Sequence, residues 1–369
     1  MSKRSGNHSF SWMIVIYFNL CIIFQIIMVA DSFVFRVQTC TCTKNEGLLK
    51  RYSGRHHLNN LQLYETEKSS HPENDIQNEI SSLDNGIRFD NFLEIDDYPI
   101  PKILYESDNL IAIDKPPHIA HHDSETEPGI LSYVRYLQSQ SITNSFSYKG
   151  RIHGVHRLDC ITSGILLLAK NQETASLLSQ KFRDKDVTKY YVALTSKKPK
   201  KKKQGWVKGD MITSRRGSWK LTNTRNNPAI TRFFTAGVGN LNTIGIDQTK
   251  TDEDLLASVI LPKTMILFQP LSGKTHQLRV AAKSVGLSIL GDKRYGDAIE
   301  AQRSKRTYLH ACCLNVNLDG EEITIWNPPC DWFESFGCEN DPTIEEALIR
   351  LMNKHCENEK ILLEMNKSN

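Results

Sequence analysis

The sequence has no Cys-x-x-Cys pair, no internal repeat and almost no net charge. Its nine cysteines are odd in number; Cys40 and Cys42 form Cys-x-Cys, and Cys312 and Cys313 are adjacent. Neither spacing suits a tetrahedral zinc site or a small disulfide framework, so reduced thiols in a reducing compartment are expected. Lys plus Arg is 46 against 42 Asp plus Glu, a balance of +4 that, as an average, is too weak to argue for a nucleic-acid partner. With 39% hydrophobic and 24% charged residues, the composition excludes collagen-like, disordered and disulfide-scaffold classes, and 369 residues predict about two domains.

What is present is unevenly spread. Residues 12–30 are almost wholly apolar and follow Lys3 and Arg4, and Ala30-Asp31-Ser32 offers a small-x-small cleavage site. Residues 1–32 therefore read as a signal peptide-like leader, with an uncleaved membrane anchor as the alternative. Residues 33–60 are basic and acid-poor (Arg36, Lys44, Lys50, Arg51, Arg55), which is transit-peptide-like. Together the two segments resemble the bipartite plastid-targeting leaders of algae with secondary plastids. A plastid location is expected; another organelle or a membrane-anchored place in the secretory pathway is the alternative. Residues 61–100 read as an acidic linker, with ten acids against two bases between 64 and 97.

Residues 196–220 reverse the sign, with ten bases against Asp210 alone and Trp206 and Trp219 interleaved. A basic loop with aromatics can track phosphates through Lys200, Lys201, Lys202 and Lys203 and stack on unpaired bases. The competing reading is a solvated lysine-rich surface loop.

From residue 103 onward short apolar runs alternate with turn residues. Strands are expected at 110–113, 164–169, 190–195, 264–268, 308–314 and 322–326. Asn171 can cap a helix reaching about residue 182, and Thr275 can cap a short helix with Leu278, Ala281, Ala282 and Val285 on one face. Asp341-Pro342 opens a C-terminal helix with Ile344, Ala347, Leu348 and Leu351 on one stripe. Many strands with few, scattered helices predict an α+β protein.

The stretch His156-Arg157-Leu158-Asp159-Cys160-Ile161-Thr162-Ser163-Gly164 sets a carboxylate in a polar loop directly before a buried strand. On spacing alone an Asp159–Arg157 salt bridge in an ordinary loop is a better account than a functional carboxylate. The wording of residues 156–170, HRLDCITSGILLLAK, resembles the signature of the RluA family of RNA pseudouridine synthases nearly residue for residue. Further blocks are similar in the family's order: residues 189–194 (KYYVAL), residues 272–279 (SGKTHQLR), Leu290-Gly291-Asp292 with Tyr295-Gly296, and Tyr308-Leu309-His310-Ala311 before Pro328-Pro329. The resemblance covers roughly residues 103–333.

That resemblance implies one catalytic domain at 101–335, carrying a basic insertion at 196–240 and followed by a C-terminal helix and tail at 336–369. The implied fold is an α+β core on a mixed, largely antiparallel central sheet with peripheral helices. It implies an isomerase that converts specific uridines of structured RNA, rRNA or tRNA, to pseudouridine, with no metal and no cofactor, acting as a monomer. Asp159 is the implied catalytic carboxylate. Three paths are open to it: addition to the uracil ring, attack on the sugar, or removal of a sugar proton. Arg279 is implied as its ion-pair partner and Tyr191 as the tyrosine that stacks on the target base. Arg157 is implied as the residue that enters the space a flipped uridine vacates, and Lys274 as a phosphate contact. Lys274 stands where the family usually has arginine, and His118 where a Gly-like residue is common, so that loop is expected to be shaped differently. The rival class is a non-catalytic RNA-binding or RNA-folding protein on the same scaffold; Asp159, Tyr191 and Arg279 all being present argues against it.

Overall fold

A computed structural model describes residues 98–140, 146–238, 260–336 and 343–368. The expected leader, the transit-like segment, all but the end of the acidic linker, and Asp341-Pro342 lie outside the described residues.

The apolar runs at 110–113 and 164–169 are two neighbouring interior strands of the sheet. Strand β1 (Lys102–Glu106) pairs with β2 (Leu110–Lys115), helix α1 (Ile130–Ser139) follows, and the short β3 (His153–Gly154) precedes β4 (Ser163–Ala169). Beyond β4 come α2 (Gln172–Asp184), β5 (Val187–Thr195), β6 (Gln204–Gly209), β7 (Met211–Thr213), β8 (Trp219–Leu221) and β9 (Ala229–Gly237). The chain continues through β10 (Thr264–Pro270), α3 (Gln277–Ser284), α4 (Ala298–Arg303), β11 (Leu309–Leu318) and β12 (Glu321–Trp326). Helices α5 (Cys330–Phe336), α6 (Thr343–His355) and α7 (Glu359–Ser368) end it.

Among the described residues ten strands form one sheet in the order β1-β2-β4-β11-β5-β10-β9-β6, with β12 beside β11 and β3 beside β4. Among the described pairs only β4–β11 is parallel, so the sheet is mixed and largely antiparallel, as expected for an α+β protein. β4 is buried along its whole length, which is why its sequence is a continuous apolar run rather than an alternating one. β5 shows the two-residue period instead. Tyr190 enters the core formed with α5, α6 and α7, through Trp332, Leu348, Met352 and Ile361, while Tyr191 faces the opposite side, toward α3.

Two expectations are corrected. The basic stretch 196–220 is not one loop: it contains edge strand β6 and a separate β7–β8 hairpin, and β9 after it fills the sheet between β10 and β6. On β6, Val207 points inward while Trp206 and Lys208 stay exposed; charge on a sheet edge hid the strand in the sequence. Thr275 does not cap α3. The N-cap residue is His276, in the left-handed region at φ 58°, and its side chain makes no capping bond. The Gln277 side chain supplies the turn instead, accepting from the Lys274 N–H at 2.9 Å and the Ser272 hydroxyl at 2.8 Å and donating to the Ile230 carbonyl and the Thr231 hydroxyl of β9. At the other capped helix Asn171 accepts from the Thr174 N–H at 2.8 Å, as expected.

Candidate active site

Asp159 sits in the loop between β3 and β4, and the residues around it explain why that loop is rigid. Gly164 has φ +106°, and a Cβ there would lie 2.4 Å from the Ala311 carbonyl oxygen on β11. Only glycine lets the two strands approach. Next to it, the Ser163 hydroxyl donates to His310 Nδ1 at 2.8 Å, and His310 Nε2 donates to the Asn327 carbonyl at 2.8 Å. Burial lowers the His310 pKa, so it stays a neutral imidazole with the tautomer this arrangement needs. The Ser163 oxygen in turn accepts from Arg306, whose other side reaches Asp331 at 2.6 Å.

His156 is likewise structural. Its Nε2 accepts the Leu167 N–H at 2.9 Å, between the stretches of β4 that pair with β11 and with β3, and its ring stacks on Phe182 at 4.4 Å. Burial lowers its pKa to about 3, which leaves the ring neutral and able to accept.

From beneath, Lys115 at the end of β2 is fully buried. Its ammonium donates to the carbonyls of Pro116 (2.7 Å), Ile119 (2.8 Å) and Cys160 (3.3 Å), tying the loop after β2 to the residue next to Asp159. Burial pulls its pKa down to about 8. His118 joins the same tie, its N–H donating to the Cys160 carbonyl at 2.8 Å. It holds φ +71°, in the left-handed region that favours glycine.

Asp159 pairs with Arg279 of α3 at 3.7 Å, not with its neighbour Arg157. The tighter partner of Arg279 is Asp292, which takes its Nε and Nη2 at 2.8 Å each. Asp292 is wholly buried, whereas the Asp159 side chain keeps 19% of its surface; only Asp159 is open to a substrate. Burial alone would push the Asp292 carboxyl up, but the Arg279 hydrogen bonds and charge, with the Arg294 and Tyr295 N–H groups, outweigh it and hold it below the usual range. The Tyr295 ring lies under the guanidinium at 4.8 Å, and its hydroxyl meets His276 Nδ1 at 2.9 Å. Tyr191 completes the wall. Burial first, and then the nearby Asp159 carboxylate, push its phenol well above the ordinary range, so it stays protonated.

Two cavities, of about 820 and about 840 Å³, meet at Asp159. Arg157, Leu158, Asp159, His276 and Arg279 line both. Tyr191 and Lys274 line the first, where Lys274 donates to Asn227 Oδ1 at 2.8 Å. The structure thus brings together Asp159, Tyr191, Arg279, Arg157 and Lys274. It does not bring Lys200–Lys203 to either cavity; these exposed residues follow the far end of β5.

Sequence reasoning gave no role to Asp292, Tyr295, His276 or Lys115. His276, Asp292 and Tyr295 stand inside the quoted blocks, where the usable signal is a second carboxylate with a following tyrosine; Lys115 lies outside them. The arginine-rich tip Arg215-Arg216 was counted only as bulk charge.

A family model described as RNA pseudouridylate synthase matches residues 109–284. A Haemophilus influenzae protein named uncharacterized RNA pseudouridine synthase is 38% identical over 224 residues, 61% of this chain and 85% of that one. The ribosomal large subunit pseudouridine synthase C of Rickettsia bellii is 34% identical over 229 residues, 60% of this chain and 66% of that one. Among solved structures, human RNA pseudouridylate synthase domain containing 1 covers 62% of this chain and 83% of its own, at 22% identity and a TM-score of 0.48.

Proposed function

The chain belongs to the RluA-type family of RNA pseudouridine synthases, and from that premise we propose that it isomerises uridines of structured ribosomal RNA through Asp159. The observation that carries this is the placement of Asp159: paired to a buried guanidinium, facing a protonated tyrosine, and open to two cavities. The reaction breaks the N1–C1′ bond of uridine and joins C5 to C1′; C5 gives up a proton and N1 gains one. Neither oxidant nor water is consumed, so a carboxylate, a cation and a dry pocket suffice.

In this reading Arg279 pairs with Asp159 and aims it, while Asp292 and Tyr295 hold Arg279. Tyr191 offers its ring to the extruded base and a hydroxyl within the same wall. A uridine inside a helix has to leave the stack to reach Asp159, and the exposed guanidinium of Arg157 beside it is suited to fill the gap. Lys274 takes a phosphate in the first cavity. Large-subunit ribosomal RNA is the preferred substrate class because the Rickettsia relative is named for it.

The test is purified protein incubated with transcripts of large-subunit rRNA, small-subunit rRNA and tRNA, with pseudouridine mapped by position. Modification of discrete uridines in the large-subunit transcript is expected; none on any transcript would overturn the reading. The leader at residues 1–60 is read as plastid-directing. A fluorescent fusion of that segment should label the plastid, and label confined to the endoplasmic reticulum would end that part.

A further inference from the structure

The second cavity differs from the first in charge. Among the described residues eight Arg or Lys line it, and Asp159 is the only acid. Arg215, Arg216, Lys293 and Lys305 among them are exposed, and none makes an ion pair among the described residues. Arg215 and Arg216 sit at the tip of the β7–β8 hairpin, where the Ser218 N–H donates to the Arg215 carbonyl at 3.1 Å.

The tip carries an arginine where the backbone does not favour one. Arg216 has φ 55° and ψ 39°, and Gly217 follows at φ 65°. The turn closed by the Ser218–Arg215 bond has positive φ at both central positions, a backbone that Asn-Gly satisfies at little cost. An arginine occupies it less readily than asparagine or glycine, and there it presents its guanidinium at an exposed tip.

The hairpin is also fastened to the site. The Trp219 N–H donates to the Tyr295 hydroxyl at 2.8 Å, and Arg294 Nη1 donates to the Gly217 carbonyl at 2.7 Å. Tyr295 is the ring beneath Arg279, and the Arg294 N–H bonds Asp292 at 2.9 Å. The tip therefore stands at a fixed place relative to Asp159.

We propose that the β7–β8 hairpin is a phosphate-binding arm: Arg215 and Arg216, facing Lys293 and Lys305 across the second cavity, hold the backbone of the RNA strand as it leaves the target uridine. This rests on the RNA-substrate reading above. The two cavities then take the strand on either side of the nucleotide at Asp159. Fixed cations at that spacing set its register without reading its bases.

The test is the double variant Arg215→Ser/Arg216→Gly. Glycine suits φ 55°, so the turn is kept or relieved and thermal unfolding should match wild type. RNA affinity is measured with a structured ribosomal RNA transcript between 50 and 200 mM salt, alongside KM and kcat. The variant should bind about tenfold more weakly at 100 mM salt, with the slope of log affinity against log salt shallower by about 1.5, and should show the change in KM. The charge-matched variant Lys354→Ala/Lys367→Ala, on α6 and α7, should retain the wild-type slope. A hairpin variant with wild-type slope and KM, or a control that falls equally, overturns the arm. A wild type that forms no pseudouridine yet binds with a hairpin-dependent slope defeats the enzymatic reading and leaves the arm standing.

Discussion

Arg279 and Asp292 form a buried bidentate pair, with both bonds at 2.8 Å, and this leaves only the Nη1 edge of the guanidinium, 3.7 Å away, for Asp159. The division of labour follows from that geometry. One carboxylate is fully enclosed and serves to orient the cation; the other shares the cation loosely and keeps access to the cavities.

Asp292→Asn should therefore cost both stability and activity. It leaves a buried guanidinium facing an amide, and breaking such a pair costs about 3–5 kcal/mol. The folded-state pKa of Asp292 lies below its unfolded value, so the unfolded chain binds the proton first as pH falls. Its contribution is full above the unfolded carboxylate range, near about 3.9, and drains as pH drops toward the folded value. Urea denaturation across pH 2–7 should show the variant less stable at neutral pH and less acid-sensitive than wild type. Equal pH dependence of the two proteins would refute the role given to Asp292.

How far these roles are visible before folding depends on whether they follow a period or a contact. The buried strands β2 and β4 and the capped helix α2 were legible because apolar runs and an Asn cap are local signals. That Asp159, Tyr191 and Arg279 lie together at one cavity is anticipated by motif wording, and the alternation on β5 explains why Tyr191 rather than Tyr190 reaches it. Asp292 and Tyr295 stand in a quoted block, but what they do, holding Arg279, is a contact with a separate element that the wording of the block does not state. The strands inside 196–220 were hidden because lysines on an edge strand and at a hairpin erase the apolar alternation that marks a strand.

Lys115→Met should separate positioning from folding. The substitution removes a buried charge whose desolvation is costly and takes the ammonium donor from the Pro116 and Ile119 carbonyls, while the Cys160 carbonyl keeps the His118 N–H, so the two effects partly offset and stability should fall by less than about 2 kcal/mol. The loop carrying Asp159 loses its tie, and kcat should drop at least tenfold with KM little changed. In wild type, kcat should decline above a pH of about 8, where the Lys115 ammonium loses a proton and a donor; in the variant that limb should be absent. An alkaline limb that survives in Lys115→Met assigns it to another group.

Gly164→Ala should be among the most damaging single-methyl additions in the chain. The backbone stands at φ +106°, and the new Cβ would meet the Ala311 carbonyl oxygen at 2.4 Å, so strand separation and backbone strain add. A loss of about 3 kcal/mol in urea is expected. A loss below about 1 kcal/mol would mean that β4 and β11 are not held this closely.

The most direct test of the central claim is pseudouridine formation by Asp159→Asn, measured by mapping on the same large-subunit rRNA transcript as wild type. The substitution keeps the size of the side chain but removes the carboxylate to which the proposal assigns the chemistry. The prediction is RNA affinity within about threefold of wild type and no detectable pseudouridine. Turnover at a measurable fraction of the wild-type rate would contradict it.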